Sequence, residues 1–145
     1  MRNRRLLVLA LSLALTSSGC AAWKQGTVTH KVTALQHSFK AVVAGFQDAE
    51  IAEHDKGFVP NDLHLQIQQG IQKVATAGVD LDTYLASNAP AAGLKAKLDN
   101  IYVLLDTIAT QGILPITNPT TKATLEIALD QVKAIIDLAL TQVSK

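Results

Sequence analysis

The chain has 145 residues, of which 48% are hydrophobic and 17% are charged, and its formal net charge is +1 with the histidines neutral. This length favours a single domain, and the many aliphatic residues exclude a disordered or collagen-like chain. The near-neutral charge gives no indication of nucleic-acid binding. A single cysteine excludes an intramolecular disulfide framework and a zinc site built mainly from thiolates.

The N-terminus carries the three-part pattern of an export signal. Three arginines among the first five residues are followed by an apolar run over residues 6–15, and small and polar residues then lead to Cys20. This order is typical of a secretory signal peptide. The apolar run is about half the roughly 20 residues that a membrane-spanning helix needs. The pattern therefore predicts a cleaved signal peptide over residues 1–19.

The sequence SSGC at residues 17–20 resembles the lipobox of bacterial lipoprotein precursors. The resemblance implies that Cys20 becomes the first residue of the mature chain and is acylated with palmitate-type fatty acids, which anchor it to a lipid bilayer. Ala21 replaces the aspartate that favours inner-membrane retention in that family. In a Gram-negative host this implies an outer-membrane protein facing the periplasm. The alternative is ordinary cleavage after Ala22, because residues 20–22 also fit an A-x-A-like site.

Removal of the predicted signal changes the charge balance. All three arginines are lost with it, so the chain from Cys20 onward has ten lysines, twelve acidic residues and a formal charge of −2. A chain without arginine lacks the planar group that grips phosphate with two parallel hydrogen bonds. We therefore predict no nucleic-acid partner.

Apolar residues recur at alternating gaps of four and three through four segments, which is the pattern of helices with one buried face. The four stripes are Val28, Val32, Leu35, Phe39, Val42, Phe46 and Ala49; Ile67, Ile71, Val74, Gly78, Leu81 and Leu85; Leu94, Leu98, Ile101, Leu105 and Ile108; and Leu125, Leu129, Val132, Ile136, Ala139 and Val143. Short connections force neighbouring helices to run antiparallel. Residues 28–145 are thus predicted to form an all-α, up-down-up-down four-helix bundle, preceded by a short tether over residues 20–27.

Capping and turn residues predict the helix ends. The Asn-Asp pair at residues 61–62 can cap the second helix, and Asn118 followed by Pro119 is typical of a cap and a first turn. Gly112 is predicted to end the third helix as a left-handed C-cap. The second stripe keeps its phase through Gly78, which favours one helix there, straight or kinked.

Three residues near the first predicted connection are our candidate metal ligands. His54 ends the first helix, His64 begins the second, and Glu50 shares the face of His54 at a spacing of four. Two imidazoles and a carboxylate can bind Zn²⁺. No established metal spacing or catalytic motif accompanies them. We therefore predict no enzyme and no cofactor, with a periplasmic small-ligand or metal-binding bundle as the alternative.

The first and third connections share the end of the predicted bundle that lies far from the N-terminus. They carry five apolar residues, Phe58, Val59, Ile113, Leu114 and Ile116. These side chains either fold inward to cap the core or form a docking patch for a protein partner.

The fourth helix has a second candidate surface. Ile127 and Leu138 fall outside its main stripe, so they either widen the buried face or support self-association. The leader, the four apolar stripes and the lack of a catalytic motif in the sequence together predict a non-enzymatic, membrane-anchored envelope lipoprotein. Its expected role is that of a tethered helical interaction or structural module with an unidentified envelope protein partner.

Overall fold

The computed structural model describes residues 27–87 and 90–144, so the predicted signal peptide and Cys20 lie outside the described residues. Within those ranges the chain forms four α-helices and no strand, which confirms the predicted all-α class. The helices are α1 (Val28–Asp55), α2 (Asn61–Ala86), α3 (Ala91–Thr107) and α4 (Pro119–Val143), and a π-helical segment (Ile108–Ile113) extends α3.

The helices form a ring of four. α1 packs against α2 and α4, and α3 packs against the same two helices. Short connections make consecutive helices antiparallel, as the up-down-up-down prediction requires. The connections after α1 and α3 lie at one end of the bundle, which we call the loop end. None of the helices in the described ranges is long and apolar enough to cross a membrane.

The predicted stripes meet in the core. Every stripe residue is buried except Val28, Ala49 and Val143, which are half-buried. Burial of these aliphatic side chains supplies the main stabilising free energy, at about 25 cal/mol per Å² of apolar surface. The interior gap between Leu35, Phe39 and other core side chains has no room for even a water molecule.

α1 ends at Asp55, through a glycine in the left-handed conformation. Gly57 has a φ of +75°, and its N–H donates to the His54 carbonyl at 2.8 Å. The Phe58 N–H donates to the Glu53 carbonyl at 3.1 Å. These two bonds are those of a Schellman motif, which satisfies carbonyls at a helix end.

Gly112 is not a left-handed C-cap, so that prediction is wrong. Among the described glycines, Gly57 is the one with a positive φ, and Gly112 is not. Gly112 is buried in the π-helical segment, where a Cβ atom would lie 2.4 Å from Cγ1 of Ile67. The reverse contact occurs nearby, because a Cβ on Gly70 would lie 2.5 Å from Cγ1 of Ile108. Each glycine thus accommodates an isoleucine of the facing segment.

The start of α2 also differs from the prediction. Pro60 is its N-cap, and no side chain caps this end, because Asn61 and Asp62 already belong to the first helical turn. The helix then continues through Gly78 without a break, which confirms the favoured reading. A Cβ on Gly78 would lie 3.2 Å from the ring of Phe39, so glycine lets α1 approach closely here.

The predicted start of α4 is confirmed. Asn118 is the N-cap, and its side-chain oxygen accepts hydrogen bonds from the N–H groups of Thr120 at 3.1 Å and Thr121 at 3.0 Å. Pro119 occupies the first helical position, where the missing N–H has no intrahelical partner to lose.

Candidate functional site

The structure brings the three candidate metal ligands together at the loop end. α1 and α2 form a hairpin that places His54 and His64 side by side. Their rings stack with centroids 3.9 Å apart and planes 10° apart. Glu50 lies directly beneath, in contact with His64. The sequence therefore placed these residues correctly in one region.

Glu50 is fully buried, with 0% of its surface exposed. Its two carboxyl oxygens lie 2.9 and 3.1 Å from Nδ1 of His64, and Oε2 accepts a hydrogen bond from Nε2 of Gln68 at 2.5 Å. Gln47 completes the group by donating to Oε1 of Gln68 at 3.0 Å. A buried carboxylate is costly unless its oxygens are hydrogen-bonded, and here they are. We call Gln47, Glu50, His64 and Gln68 the polar layer.

The hydrogen bonds engage Nδ1 of both histidines, and for His54 they also assign a ring proton. Nδ1 of His54 lies 2.9 Å from the Val59 carbonyl, which can only accept, so this nitrogen carries hydrogen. Nδ1 of His64 lies 2.9 Å from Oε1 of Glu50, within hydrogen-bond distance. Both histidines are left with Nε2 as their free ring nitrogen.

This arrangement does not converge on a metal ion. The Nε2 lone pairs of His54 and His64 lie in nearly parallel planes, so they do not point at a common position. Across residues 27–87 and 90–144, no three His, Cys, Asp or Glu side chains are grouped so that they could hold a metal. Glu50 is already used by His64 and Gln68. The geometry thus gives the metal-binding alternative no support.

A second buried acid joins α1 to α4. Glu53 is 9% exposed, and its Oε2 accepts a hydrogen bond from the hydroxyl of Thr121 at 2.7 Å. Its Oε1 pairs with the ammonium group of Lys56. Thr121 is 1% exposed and lies in the first turn of α4. Buried polar bonds therefore link α1 to both of its neighbours at the loop end.

The five apolar residues of the loops do not form one exposed patch. Val59, Ile113 and Ile116 are at most 4% exposed, whereas Phe58 is 44% and Leu114 is 59% exposed. The three buried residues therefore do not belong to a docking patch, and the prediction that includes them is corrected. The His54 bond holds the Val59 carbonyl inward, and the π-helical segment carries Ile113 into the core. Of the five loop residues, Phe58 and Leu114 are the ones that are exposed and can contact a partner.

On α4, Ile127 and Leu138 are 60% and 44% exposed. They do not widen the buried face, so that alternative is wrong. Their spacing of 11 residues corresponds to about three helical turns, which places them on one outward face. Self-association through this face stays a prediction.

Sequence reasoning missed Gln47, Gln68 and Thr121. Isolated amides and hydroxyls on a helix are common surface residues, and only their alignment with Glu50 and Glu53 gives them a role. No signal in the sequence identified them. No protein-family model, curated protein or solved structure matches this chain. Its function is therefore inferred from its own residues.

Proposed function

We propose that this protein is a membrane-anchored envelope lipoprotein that acts without catalysis, as a tethered helical module that binds an envelope protein. The observation that carries the proposal is the leader, with its arginines, its apolar run and SSGC at residues 17–20. The cysteine content supports it, because an unpaired thiol in an exported chain is unusual unless it is modified. Acylation at Cys20 gives that thiol a purpose.

The dimensions of the bundle suit such a role. α1 begins at Val28, eight residues after Cys20, and its 28 residues span about 42 Å. The loop end is therefore held well away from an anchored N-terminus. Phe58 and Leu114 are exposed at that end and offer apolar contact area to a partner. We place the protein at the outer membrane, facing the periplasm, in a Gram-negative host.

The two buried acids of the loop end stabilise the packing of the helices. Glu50 and Glu53 are buried and take part in hydrogen bonds that join helices. A catalytic carboxylate needs access to substrate, whereas these oxygens face side chains of the protein itself. This supports a role in recognition without bond-making.

Labelling with a fatty acid tests the anchor. Cells that express the parent chain are expected to incorporate labelled palmitate into the protein, and Cys20→Ala is expected to abolish the label. Ser18→Ala is the matched control, since it alters the leader and keeps the cysteine. Label that persists in Cys20→Ala, or that is absent from the parent, refutes acylation there. A mature chain that begins at Trp23 by mass spectrometry establishes cleavage after Ala22 instead.

Whole-cell crosslinking tests the tip. Phe58→Ser and Leu114→Ser are expected to lose crosslinks to the partner, because each removes an exposed apolar side chain at the loop end. Val79→Ser is the control, since Val79 is 60% exposed near the opposite end of α2. If both tip variants retain every crosslink that the parent makes, the loop end is not the recognition surface.

A further inference from the structure

Three large apolar side chains are exposed on the α1–α2 hairpin near the loop end. Ile51 near the end of α1 is 38% exposed, Phe58 in the connection is 44% exposed, and Leu65 near the start of α2 is 59% exposed. Neither Ile51 nor Leu65 belongs to a predicted stripe. Exposed single apolar residues are ordinary, but three on one hairpin need a common explanation.

The contacts between the helices place these residues together. Ile51 lies one turn from both Gln47 and His54 on α1, and Leu65 directly follows His64 on α2. The polar layer and the stacked histidines hold the two helices side by side at this level. Ile51 and Leu65 are therefore exposed at the same level along the hairpin, and Phe58 lies in the connection at its end. We call Ile51, Phe58 and Leu65 the hairpin patch.

The surroundings of the hairpin patch are acidic. Residues 47–69 contain five of the twelve acidic residues of the chain and one lysine. Asp48, Asp55 and Asp62 are exposed, and none of them has an ion-pair partner among the described residues. Asp48 and Asp62 precede Ile51 and Leu65 by three residues on the same helix, which means adjacent surface positions, and Asp55 is the last residue of α1 before the connection that carries Phe58. Lys56 is paired with the buried Glu53.

We infer that the α1–α2 hairpin binds a cationic amphipathic segment of a partner protein, with lysine or arginine beside an aliphatic face. The hairpin patch supplies apolar contact area, and the three aspartates attract cations and repel acidic segments. An anionic lipid surface is disfavoured by the same charges. A second copy docked through the same patch would oppose aspartate to aspartate. The inference rests on the proposed function, because both assign recognition to the loop end. It differs in the contact residues, which are those of the hairpin patch and do not include Leu114.

A pair of synthetic peptides tests the inference. The first is a helical peptide of about 18 residues built from leucine and lysine, and the second has glutamate in place of lysine. Anisotropy of the fluorescently labelled peptides is measured against the purified full chain. The lysine peptide is expected to bind, and Leu65→Ser or Ile51→Ser is expected to weaken binding about fivefold or more. Changing Asp48, Asp55 and Asp62 together to asparagine is expected to weaken it about tenfold.

Matched controls keep the result interpretable. Val79→Ser removes a side chain that is 60% exposed on the same helix, 14 residues beyond Leu65, and is expected to leave the affinity within about twofold. The helical circular dichroism of each variant shows that it is folded. Equal binding of the glutamate peptide, equal loss in Leu65→Ser and Val79→Ser, or no binding of the lysine peptide overturns the inference.

Leu114→Ser separates this inference from the proposed function, since Leu114 lies outside the hairpin. If Leu114→Ser loses its cellular crosslinks and the lysine peptide fails to bind the parent chain, the inference is wrong. The proposed recognition through the loop end is then still supported. If Leu114→Ser retains every crosslink while peptide binding depends on Leu65, the contact lies on the hairpin patch and Leu114 has no part in it, which supports the inference and excludes the wider tip.

Discussion

Replacing Gly112 by alanine is expected to destabilise the bundle, whereas the same replacement at Gly45 is expected to stabilise it. Both glycines lie within helical segments. A Cβ on Gly112 would lie 2.4 Å from Cγ1 of Ile67, which is 0% exposed, so the core must shift to accept it. A Cβ on Gly45 would meet nothing within 4 Å.

The pair of variants isolates the steric contribution. Alanine is favoured over glycine in a helix by up to about 1 kcal/mol, and this gain applies at both sites. Overpacking a well-packed core costs about 1–3 kcal/mol, and this cost applies only at Gly112. The two variants should therefore differ in their free energies of unfolding by about 1–3 kcal/mol. For a domain of this size that corresponds to roughly 4 °C in Tm for each kcal/mol.

Denaturant unfolding followed by circular dichroism measures the difference directly. Repeating Gly112→Ala in an Ile67→Ala background tests the cause, because the steric cost should disappear when Cγ1 of Ile67 is absent. If Gly112→Ala stabilises the protein as much as Gly45→Ala does, or if its cost is unchanged in the Ile67→Ala background, the close contact between α2 and the π-helical segment is refuted.

The remaining predictions concern buried polar groups and helix ends. Glu50→Ala is expected to lower the free energy of unfolding by about 2–4 kcal/mol because it leaves polar partners unsatisfied, while Asp48→Ala on the surface changes it by at most about 0.5 kcal/mol in the same denaturation assay. Asn118→Ala is expected to cost about 1 kcal/mol through loss of the α4 cap, and Asn61→Ala, which removes no capping bond, is the control; equal effects would contradict the assignment. Gly57→Ala is expected to lower Tm in a thermal melt, at a cost of about 1–2 kcal/mol for a left-handed residue, and an unchanged Tm would count against the Schellman end of α1.

The helices could be predicted because their signal is local and repeated. The stripe from Val32 to Phe46 repeats the 4–3 spacing several times, so one irregular residue does not hide the period. Asn118 before Pro119 was also readable, since a cap depends on residues within one turn. Local chemistry of this kind needs no knowledge of the neighbouring helices.

The errors occurred where contacts between segments decide the outcome. Gly112 has the sequence context of a helix-ending glycine, but the facing Ile67 gives it a packing role within a π-helical segment. Val59 and Ile116 are apolar loop residues whose burial depends on how the loops fold over the core. The partners of Glu50, which are His64 and Gln68, depend on the register between α1 and α2.

The polar layer connects the stability of the bundle to its proposed surface. Aliphatic contacts tolerate small sliding of one helix along another, whereas the hydrogen bonds of buried Glu50 exist in only one register. That register sets Ile51 and Leu65 at the same level along the hairpin, so the hairpin patch is arranged before a partner arrives and loses less entropy on binding.

Changing Glu50 and His64 together to leucine separates these two effects. Replacing a buried acid together with its polar partner by apolar residues is often neutral or stabilising, so the free energy of unfolding is expected to fall less than in Glu50→Ala. The affinity for the lysine peptide should nevertheless fall, because the hairpin is no longer held in one register. An unchanged affinity in a stable double variant would show that the polar layer does not organise the hairpin patch, and that the apolar core alone is enough to align α1 with α2.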